Sequence, residues 1–298
     1  MKFSVVVPCY NSQDTIREVV ELTMDVFKQM GESDYEFVLV NDYSPNRETL
    51  EELQRLAGQY PFVKVVDLAK NFGQANAQMA GLNYAEGDYI INMDDDLQTH
   101  PKHIPLLFAK MEEGYDLVFA KYIKKQHSRF RNLLTFMGAK FDEICMEKPK
   151  DISFTSFWIC KKFIRDELIK YKYPYSFMEG LFLRTARNIA NVEVEHLARQ
   201  YGHSGYNLKK LVKLWSNFTN FTIIPLRVAG VVGFLSAIAG FVYALIIVVR
   251  KLLDPSMLTG YASIICIILI FFGITLFCMG MLGEYVGRTF LCVNNSPQ

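Results

Sequence analysis

Three consecutive carboxylates, Asp94, Asp95 and Asp96, follow directly on an apolar run and precede Leu97 and Gln98. Negative charges this close together repel one another, and none is cheap to remove from water. Such a run is tolerated in a solvent-exposed turn or around a bound cation. Asp94, Asp96 and Gln98 offer oxygen atoms at alternate positions, which suits Mg²⁺ or Mn²⁺. The stretch is therefore either an acidic surface turn or a divalent-metal site, and its context must decide.

That context is a series of strands alternating with amphipathic helices. Apolar, β-branched runs end near Val7, Val40, Leu68 and Met93, and the segments between them have helical spacing of apolar residues. This alternation predicts an α/β fold with a parallel sheet and helices on its faces. Because ligands bind at the carboxyl ends of strands in such sheets, we expect the polar residues that follow these strands to converge at one rim.

The turn after the first strand narrows the class of α/β protein. It reads Pro8-Cys9-Tyr10-Asn11-Ser12-Gln13, whereas a dinucleotide-binding fold has GxGxxG at this point. The lysine-containing phosphate loop of nucleoside triphosphatases is also absent from the sequence. The net charge of +1 over 298 residues gives no indication of a nucleic-acid partner.

The last quarter of the chain is strongly apolar. Residues 228–249 and 261–283 contain no charged side chain, and as helices they would be about 33–35 Å long, enough to cross a bilayer core of roughly 30 Å. We expect four regions: a catalytic domain over 1–206, an amphipathic juxtamembrane segment over 207–226, a two-helix transmembrane domain over 227–290 and a tail over 291–298.

Several features predict that the catalytic domain and the tail lie in the cytoplasm. The chain opens on a strand pattern rather than on a signal peptide, and the segments flanking the apolar runs are rich in lysine and arginine. The six cysteines form no CxxC pair, so we expect free thiols in a reducing compartment and no zinc site.

Six segments together resemble family 2 glycosyltransferases, specifically the branch that acts on polyprenyl phosphates. Val5–Asn11 resembles the family's strand-Pro-x-Tyr-Asn motif, Val40–Asn46 its Asp-Asp-Gly-Ser motif and Asn71–Gln74 its Asn-x-Gly-x motif. Met93–Gln98 resembles Asp-x-Asp-Leu-Gln, Arg199–Tyr206 resembles Arg-x-x-Gly-x-Ser-x-Tyr, and Gly280–Arg288 resembles the C-terminal Gly-Glu-Tyr-x-Gly-Arg. The resemblance covers the chain from Phe3 to Arg288.

The resemblance implies a GT-A (Rossmann-like) domain and assigns roles to individual residues. Pro8, Tyr10, Asn11 and Asp42 would bind the nucleotide sugar. Asp94, Asp96 and Gln98 would bind the Mg²⁺ or Mn²⁺ ion. The acceptor phosphate would be held by Lys121, Arg131, Thr135, Arg199, Ser204 and Tyr206.

Some residues depart from the family pattern. Asn41, Tyr43 and Asn46 stand where Asp, Gly and Asp are common, Lys121 and Thr135 stand for Arg and Ser, and Trp158 stands for Arg. We expect the nucleotide pocket to differ in detail while Asp42 keeps its place. Glu179 is interpreted either as structural or as part of the site.

The implied reaction is transfer of one hexose, with inversion, from a UDP-sugar such as UDP-glucose to undecaprenyl phosphate. A phosphate monoester is largely ionised at neutral pH because its second pKa is ~6, so the acceptor needs no dedicated general base. The resemblance further implies a bacterial plasma-membrane protein that contributes to cell-envelope glycans and assembles as a homo-oligomer such as a tetramer.

Two other functions are weighed against this one. A processive polysaccharide synthase would need a Gln-x-x-Arg-Trp motif, but neither Trp158 nor Trp215 follows an arginine. A non-catalytic nucleotide-binding scaffold is favoured by the altered residues around Asp42 and opposed by the intact Asp94, Asp96 and Gln98.

Overall fold

The structure is a computed structural model that describes residues 1–122, 149, 151–173, 177–195, 224–253 and 260–293. The chain divides into two compact units, one over Met1–Asn207 and one over Leu208–Ser296. Each unit is described by itself below.

The described part of the first unit is built on one mixed sheet of seven strands in the order β3-β2-β1-β4-β6-β5-β7. The strands are β1 (Phe3–Cys9), β2 (Tyr35–Asn41), β3 (Val63–Asp67), β4 (Tyr89–Asn92), β5 (Leu117–Tyr122), β6 (Trp158–Lys161) and β7 (Ile189–Val194). Strands β1 to β4 are mutually parallel, as the sequence predicts. Strand β6 runs antiparallel to both β4 and β5, so the sheet is mixed beyond the four strands whose alternation the sequence shows.

Among the described residues of this unit, six helices accompany the sheet. They are α1 (Ile16–Met30), α2 (Arg47–Gln59), α3 (Gln74–Tyr84), α4 (Ile104–Glu112), α5 (Lys162–Leu168) and α6 (Met178–Thr185), with a 3₁₀ turn over Pro101–His103 before α4. Helix α1 ends at Gly31, whose φ of 75° is left-handed, a conformation that glycine adopts without penalty.

The core explains why these elements pack as they do. All seven residues of β1 are buried, as expected for a central strand covered on both faces. Helix α3 approaches the sheet closely at Gly81, where a Cβ atom would collide with the side chain of Val6. Because α3 follows the turn at residues 71–73 and its first residue, Gln74, hydrogen-bonds to Asp94, this close packing helps to fix the start of the helix at the rim.

The second unit contains α7 (Ile224–Leu253) and α8 (Tyr261–Val293). Leu226–Tyr243 and Ile270–Gly287 are long and apolar enough to cross a membrane. Only 6% of each of these stretches is buried, and large side chains such as Phe234 and Phe241 are 68% and 71% exposed. A core helix of a water-soluble domain would bury its apolar face, so these helices require an apolar surrounding.

Candidate active site

The site lies where β1, β2 and β4 end at one edge of the sheet. Cys9 at the end of β1 is in register with Asn41 at the end of β2, and β4 delivers the three carboxylates beside them. A cavity of about 420 Å³ opens there. It is lined by Pro8, Cys9, Tyr10, Asp42, Asn71, Gly73, Gln74, Asp94, Asp95, Asp96, Gln98 and Ser156.

The backbone at this rim is strained after each of the three strands. Asn11, Tyr43 and Leu97 have φ values of 56°, 50° and 58°, in the left-handed region that side chains other than glycine and asparagine rarely adopt. Such conformations persist where the surroundings enforce them, and they concentrate at functional sites.

Asp94 is held from two sides. Ser156 Oγ donates a hydrogen bond to Asp94 Oδ2, and Gln74 Nε2 donates to Asp94 Oδ1 at 2.8 Å. Burial, together with the charges of Asp96 and Asp95, raises the pKa of Asp94 to about 6. The carboxylate is therefore oriented by its neighbours but not relieved of the repulsion from the adjacent charges.

Asp95 joins β4 to β1. Its Oδ2 accepts a hydrogen bond from Tyr10 N at 3.0 Å, and its carbonyl oxygen accepts one from Thr15 Oγ1 at 2.6 Å. Burial raises the pKa of this carboxyl as well. Asp95 thus fixes the distance between the Pro8–Asn11 turn and the acidic stretch, a role that the sequence alone does not predict.

Asp96 and Gln98 complete the acidic wall of the cavity. Asp96 Oδ1 accepts a hydrogen bond from Gln98 N at 3.1 Å, which stabilises the turn that contains the left-handed Leu97. Within the described part of the chain, no three acidic, histidine or cysteine side chains form a complete metal site. Two carboxylates and an amide nevertheless fit Mg²⁺, which commonly binds one or two carboxylates and takes its other ligands from substrate phosphates and water.

Asp42 serves the loop between β3 and α3. Its Oδ1 accepts from Phe72 N at 2.7 Å and its Oδ2 accepts from Gly73 N at 2.9 Å, while Asn71 Nδ2 donates to the Asp42 carbonyl at 3.1 Å. The buried carboxylate lies on the cavity wall as predicted. Its two oxygens also position the turn that begins α3.

The departures around Asp42 preserve the geometry of its loop. Asn41 accepts hydrogen bonds from the Ser44 backbone and hydroxyl and donates one to Asp67. Asn46 caps α2 by accepting from Glu48 N at 3.1 Å. These amides make the capping and turn contacts that carboxylates make elsewhere, so the altered residues give little support to a degenerate site.

Gln74, Ser156 and Tyr122 are further residues of the site that were not predicted from the sequence. Gln74 begins α3 at Asp94, and Ser156 reaches the rim because β6 runs antiparallel to β4, with Asn92 Nδ2 donating to the Ser156 carbonyl at 2.6 Å. Tyr122 lies at the end of β5, where burial and the charges of Asp94 and Asp96 raise its pKa. Gln74 stands in a recognised motif and could have been inferred, whereas Ser156 depends on the unforeseen strand direction.

The predicted acceptor residues are mostly outside the described residues. Arg131, Thr135, Arg199, Ser204 and Tyr206 all lie there. Lys121 is described at the end of β5, where its Nζ lies 3.7 Å from Glu193 Oε1, and it does not line the cavity. Its predicted contact with the acceptor phosphate remains a prediction.

A second, smaller cavity of about 120 Å³ adjoins the first. The two cavities share Gln74 and Ser156 among their lining residues. Glu179, at the start of α6, lines the smaller one. Trp158 is buried in β6 and packs edge-on against Phe182, with 4.9 Å between the ring centroids.

Sequence comparison identifies two regions of the chain. Residues 4–171 match the family described as Glycosyl transferase family 2. Residues 224–289 match the GtrB C-terminal hairpin, which corresponds to α7 and α8. The two regions together span both units of the structure.

Two similar proteins match the chain over nearly its full length. The undecaprenyl-phosphate 4-deoxy-4-formamido-L-arabinose transferase of Proteus mirabilis is 34% identical, covering 100% of this chain and 92% of that protein. An uncharacterised glycosyltransferase of Bacillus subtilis, YkcC, is also 34% identical, covering 97% of this chain and 90% of that protein.

Solved structures share the fold at low sequence identity. Glucosyl-3-phosphoglycerate synthase from Mycobacterium tuberculosis aligns with a TM-score of 0.52 at 18% identity, covering 74% of this chain and 80% of that one. Mannosyl-3-phosphoglycerate synthase from Rubrobacter xylanophilus aligns with a TM-score of 0.54 at 15% identity, covering 77% of this chain and 75% of that one. The catalytic domain thus has the predicted GT-A-like fold, and the chain is an enzyme that belongs to glycosyl transferase family 2, in the branch that acts on polyprenyl phosphates.

Proposed function

We propose that this enzyme transfers a single hexose from a UDP-sugar to undecaprenyl phosphate, with inversion at the anomeric carbon. The observation that carries the proposal is the acidic rim, where Asp94, Asp96 and Gln98 line one cavity with Tyr10 and Asp42. A nucleoside diphosphate bound in this cavity would add its negative charge beside carboxylates that already repel one another.

The donor would be bound through the chain's own residues at the ends of β1, β2 and β4. The Pro8–Asn11 turn and Asp42 would contact the nucleoside, and Asp94, Asp96 and Gln98 would hold a Mg²⁺ or Mn²⁺ ion. That ion would neutralise negative charge developing on the leaving diphosphate. Ser156 and Gln74 would keep Asp94 in the required orientation, since both donate hydrogen bonds to it.

The acceptor would be the phosphate of the lipid. Because a phosphate monoester is already largely ionised at neutral pH, its oxygen can attack the anomeric carbon without a general base. Lys121, Arg131 and Arg199 would place this phosphate in line with the leaving group, with the hydroxyl groups of Thr135, Ser204 and Tyr206 assisting. Positioning of this kind is the main protein contribution to such a transfer.

The lipid acceptor explains the two apolar helices. Helices α7 and α8 would cross the bacterial plasma membrane, as a multi-pass anchor that keeps the cytoplasmic catalytic domain at the headgroup surface. The Proteus relative is named for undecaprenyl phosphate, which is consistent with this acceptor. We further propose that the chains form a homo-oligomer in the bilayer and that the product supplies a cell-envelope modification.

The proposal is tested by incubating the purified full-length protein with undecaprenyl phosphate and a panel of nucleotide sugars. We expect one lipid-linked monosaccharide, identified by its mass, and no polymer. Asp96→Ala should abolish the product, and Arg199→Ala should raise the KM for lipid phosphate far more than the KM for the donor. Bound nucleotide without any lipid product from wild-type protein would favour the scaffold function instead, and a polymeric product would favour a processive synthase.

A further inference from the structure

We infer that the smaller cavity receives the donor sugar and that Glu179 selects neutral hexoses over uronic acids there. The inference rests on the proposed function, because it places a sugar nucleotide at the acidic rim. It goes beyond that function because it assigns a residue that binds the sugar and a class of sugar that binds poorly.

The connection between the two cavities gives the sugar its place. In a nucleotide sugar the hexose is bonded directly to the terminal phosphate, so it must lie within a few ångströms of the group that holds that phosphate. Gln74 and Ser156 line both cavities, and both donate hydrogen bonds to Asp94. A diphosphate held at Asp94 therefore places its sugar at the entrance of the smaller cavity.

The size of the smaller cavity fits part of a sugar ring. At about 120 Å³, it is less than a third the size of the larger cavity. That space accommodates the hydroxyl-bearing edge of a hexose, whereas a nucleoside would need the larger cavity of about 420 Å³.

One wall of the cavity is rigid and apolar. Phe119 and Trp158 both pack edge-on against Phe182, with ring centroids 5.5 Å and 4.9 Å apart, and all three rings are buried. The hydroxyl group of Thr155 is directed to the Ala120 carbonyl at 2.7 Å. These side chains give the cavity a fixed shape against which the C–H face of a sugar can pack.

The cavity lining also carries polar groups. Helix α3 contributes Gln74 and Gln78, and α6 contributes Glu179. A carboxylate accepts hydrogen bonds from hydroxyl groups and repels another carboxylate. Beside Glu179, a hexose with free hydroxyl groups would therefore be favoured, and a sugar whose C6 is a carboxylate would be disfavoured.

The inference is tested by equilibrium binding to the full-length protein with UDP, UDP-glucose, UDP-N-acetylglucosamine and UDP-glucuronic acid. In wild-type protein we expect at least one neutral UDP-hexose to bind more tightly than UDP, and UDP-glucuronic acid to bind more weakly than that hexose. Glu179→Gln should weaken that neutral UDP-hexose by about tenfold, strengthen UDP-glucuronic acid and leave UDP unchanged. Glu113→Gln, at an exposed site, is the matched control and should leave all four affinities unchanged.

Three results would overturn the inference. They are wild-type protein that binds no neutral UDP-hexose more tightly than UDP, a Glu179→Gln variant with an unchanged preference between neutral and acidic sugars, and a variant that loses UDP affinity as strongly as UDP-hexose affinity. These outcomes are separate from the proposed function, because a protein that binds the sugar as described but forms no lipid product would contradict only the transfer.

Discussion

Buried carboxylates at the two ends of the central sheet have pKa values that are shifted in opposite directions. At the end opposite the active-site rim, Glu36 accepts hydrogen bonds from Ser4 Oγ at 2.6 Å and from Glu86 N at 2.7 Å. The ammonium groups of Lys64 and Lys2 lie 3.0 Å and 3.1 Å from its Oε2. Burial by itself would raise the pKa of Glu36, but these partners outweigh it and lower the pKa to about 2.

At the rim, burial and like charges dominate instead. The pKa of Asp94 rises to about 6 although two side chains donate hydrogen bonds to it. The protein thus compensates the buried carboxylate of Glu36 with positive charges and hydrogen bonds, and it does not compensate that of Asp94. We therefore interpret Glu36 as serving stability and the acidic rim as kept ready for a cation that arrives with the substrate.

The largest expected effect is on catalysis at the rim. Asp94→Asn should lower the transfer rate by ~10³, because the loss of one carboxylate removes several kcal/mol of charge stabilisation. The same substitution should raise the melting temperature at pH 7, since it relieves repulsion with Asp95 and Asp96. Thermal unfolding and product assays on the same preparation measure both effects, and a lower melting temperature would contradict the interpretation.

A large effect on stability is expected at the opposite end. Glu36→Gln should lower the free energy of unfolding by about 3 kcal/mol at pH 7, because Lys2 and Lys64 lose the anion that compensates them. The transfer rate per folded molecule should stay at the wild-type value. A Glu36→Gln variant that is as stable as the wild type, or that is folded but inactive, would remove the contrast between the two ends.

The same contrast predicts a pH dependence. The folded-state pKa of Glu36 is lowered from its ordinary value of 4.5 to about 2, so its contribution is fully present above pH 4.5 and is lost as the pH falls toward 2. Wild-type protein should therefore lose more stability over this interval than Glu36→Gln does. Parallel stability curves for the two proteins between pH 5 and pH 2, measured by denaturant unfolding, would contradict the assignment.

The smallest effect concerns backbone strain at the rim. Tyr43→Gly should stabilise the protein by about 0.5–1 kcal/mol, because relief of the left-handed conformation exceeds the entropic cost of glycine. Tyr84→Gly is the matched control: Tyr84 is 54% exposed, close to the 56% of Tyr43, but it lies in α3 and its replacement should destabilise the protein. Equal destabilisation by both substitutions in urea unfolding would show that the rim stores no strain at Tyr43.

Much of this molecule could be predicted from its sequence because local patterns determine it. The alternation of strands and helices up to Met93 fixed the parallel half of the sheet, and the oxygen-rich stretch from Asp94 to Gln98 identified the rim. Strand β6 was not foreseen because Trp158–Lys161 is only four residues long and a short run does not reveal its direction. Since that direction brings Ser156 to Asp94, the contact could not be inferred either.

The opposite pKa shifts at the two ends of the sheet could not be predicted from the sequence either. Glu36 lies in a strand between Tyr35 and Phe37, and its partners Lys2 and Glu86 are distant in sequence. Only the pairing of β1 with β2 and β4 brings these residues together. The resemblance to a family indicated where the chemistry is expected, whereas the compensation or repulsion of each carboxylate depends on tertiary contacts.

The most direct test of the central claim is Mn²⁺ binding in the presence of UDP, measured on wild-type protein, Asp94→Asn and Glu36→Gln under conditions where all three are folded. We predict one bound ion in the wild type and in Glu36→Gln with equal affinity, and an affinity at least tenfold lower in Asp94→Asn. Equal Mn²⁺ affinity in Asp94→Asn and the wild type would contradict this claim, because the Asp94 carboxylate would then contribute nothing to cation binding.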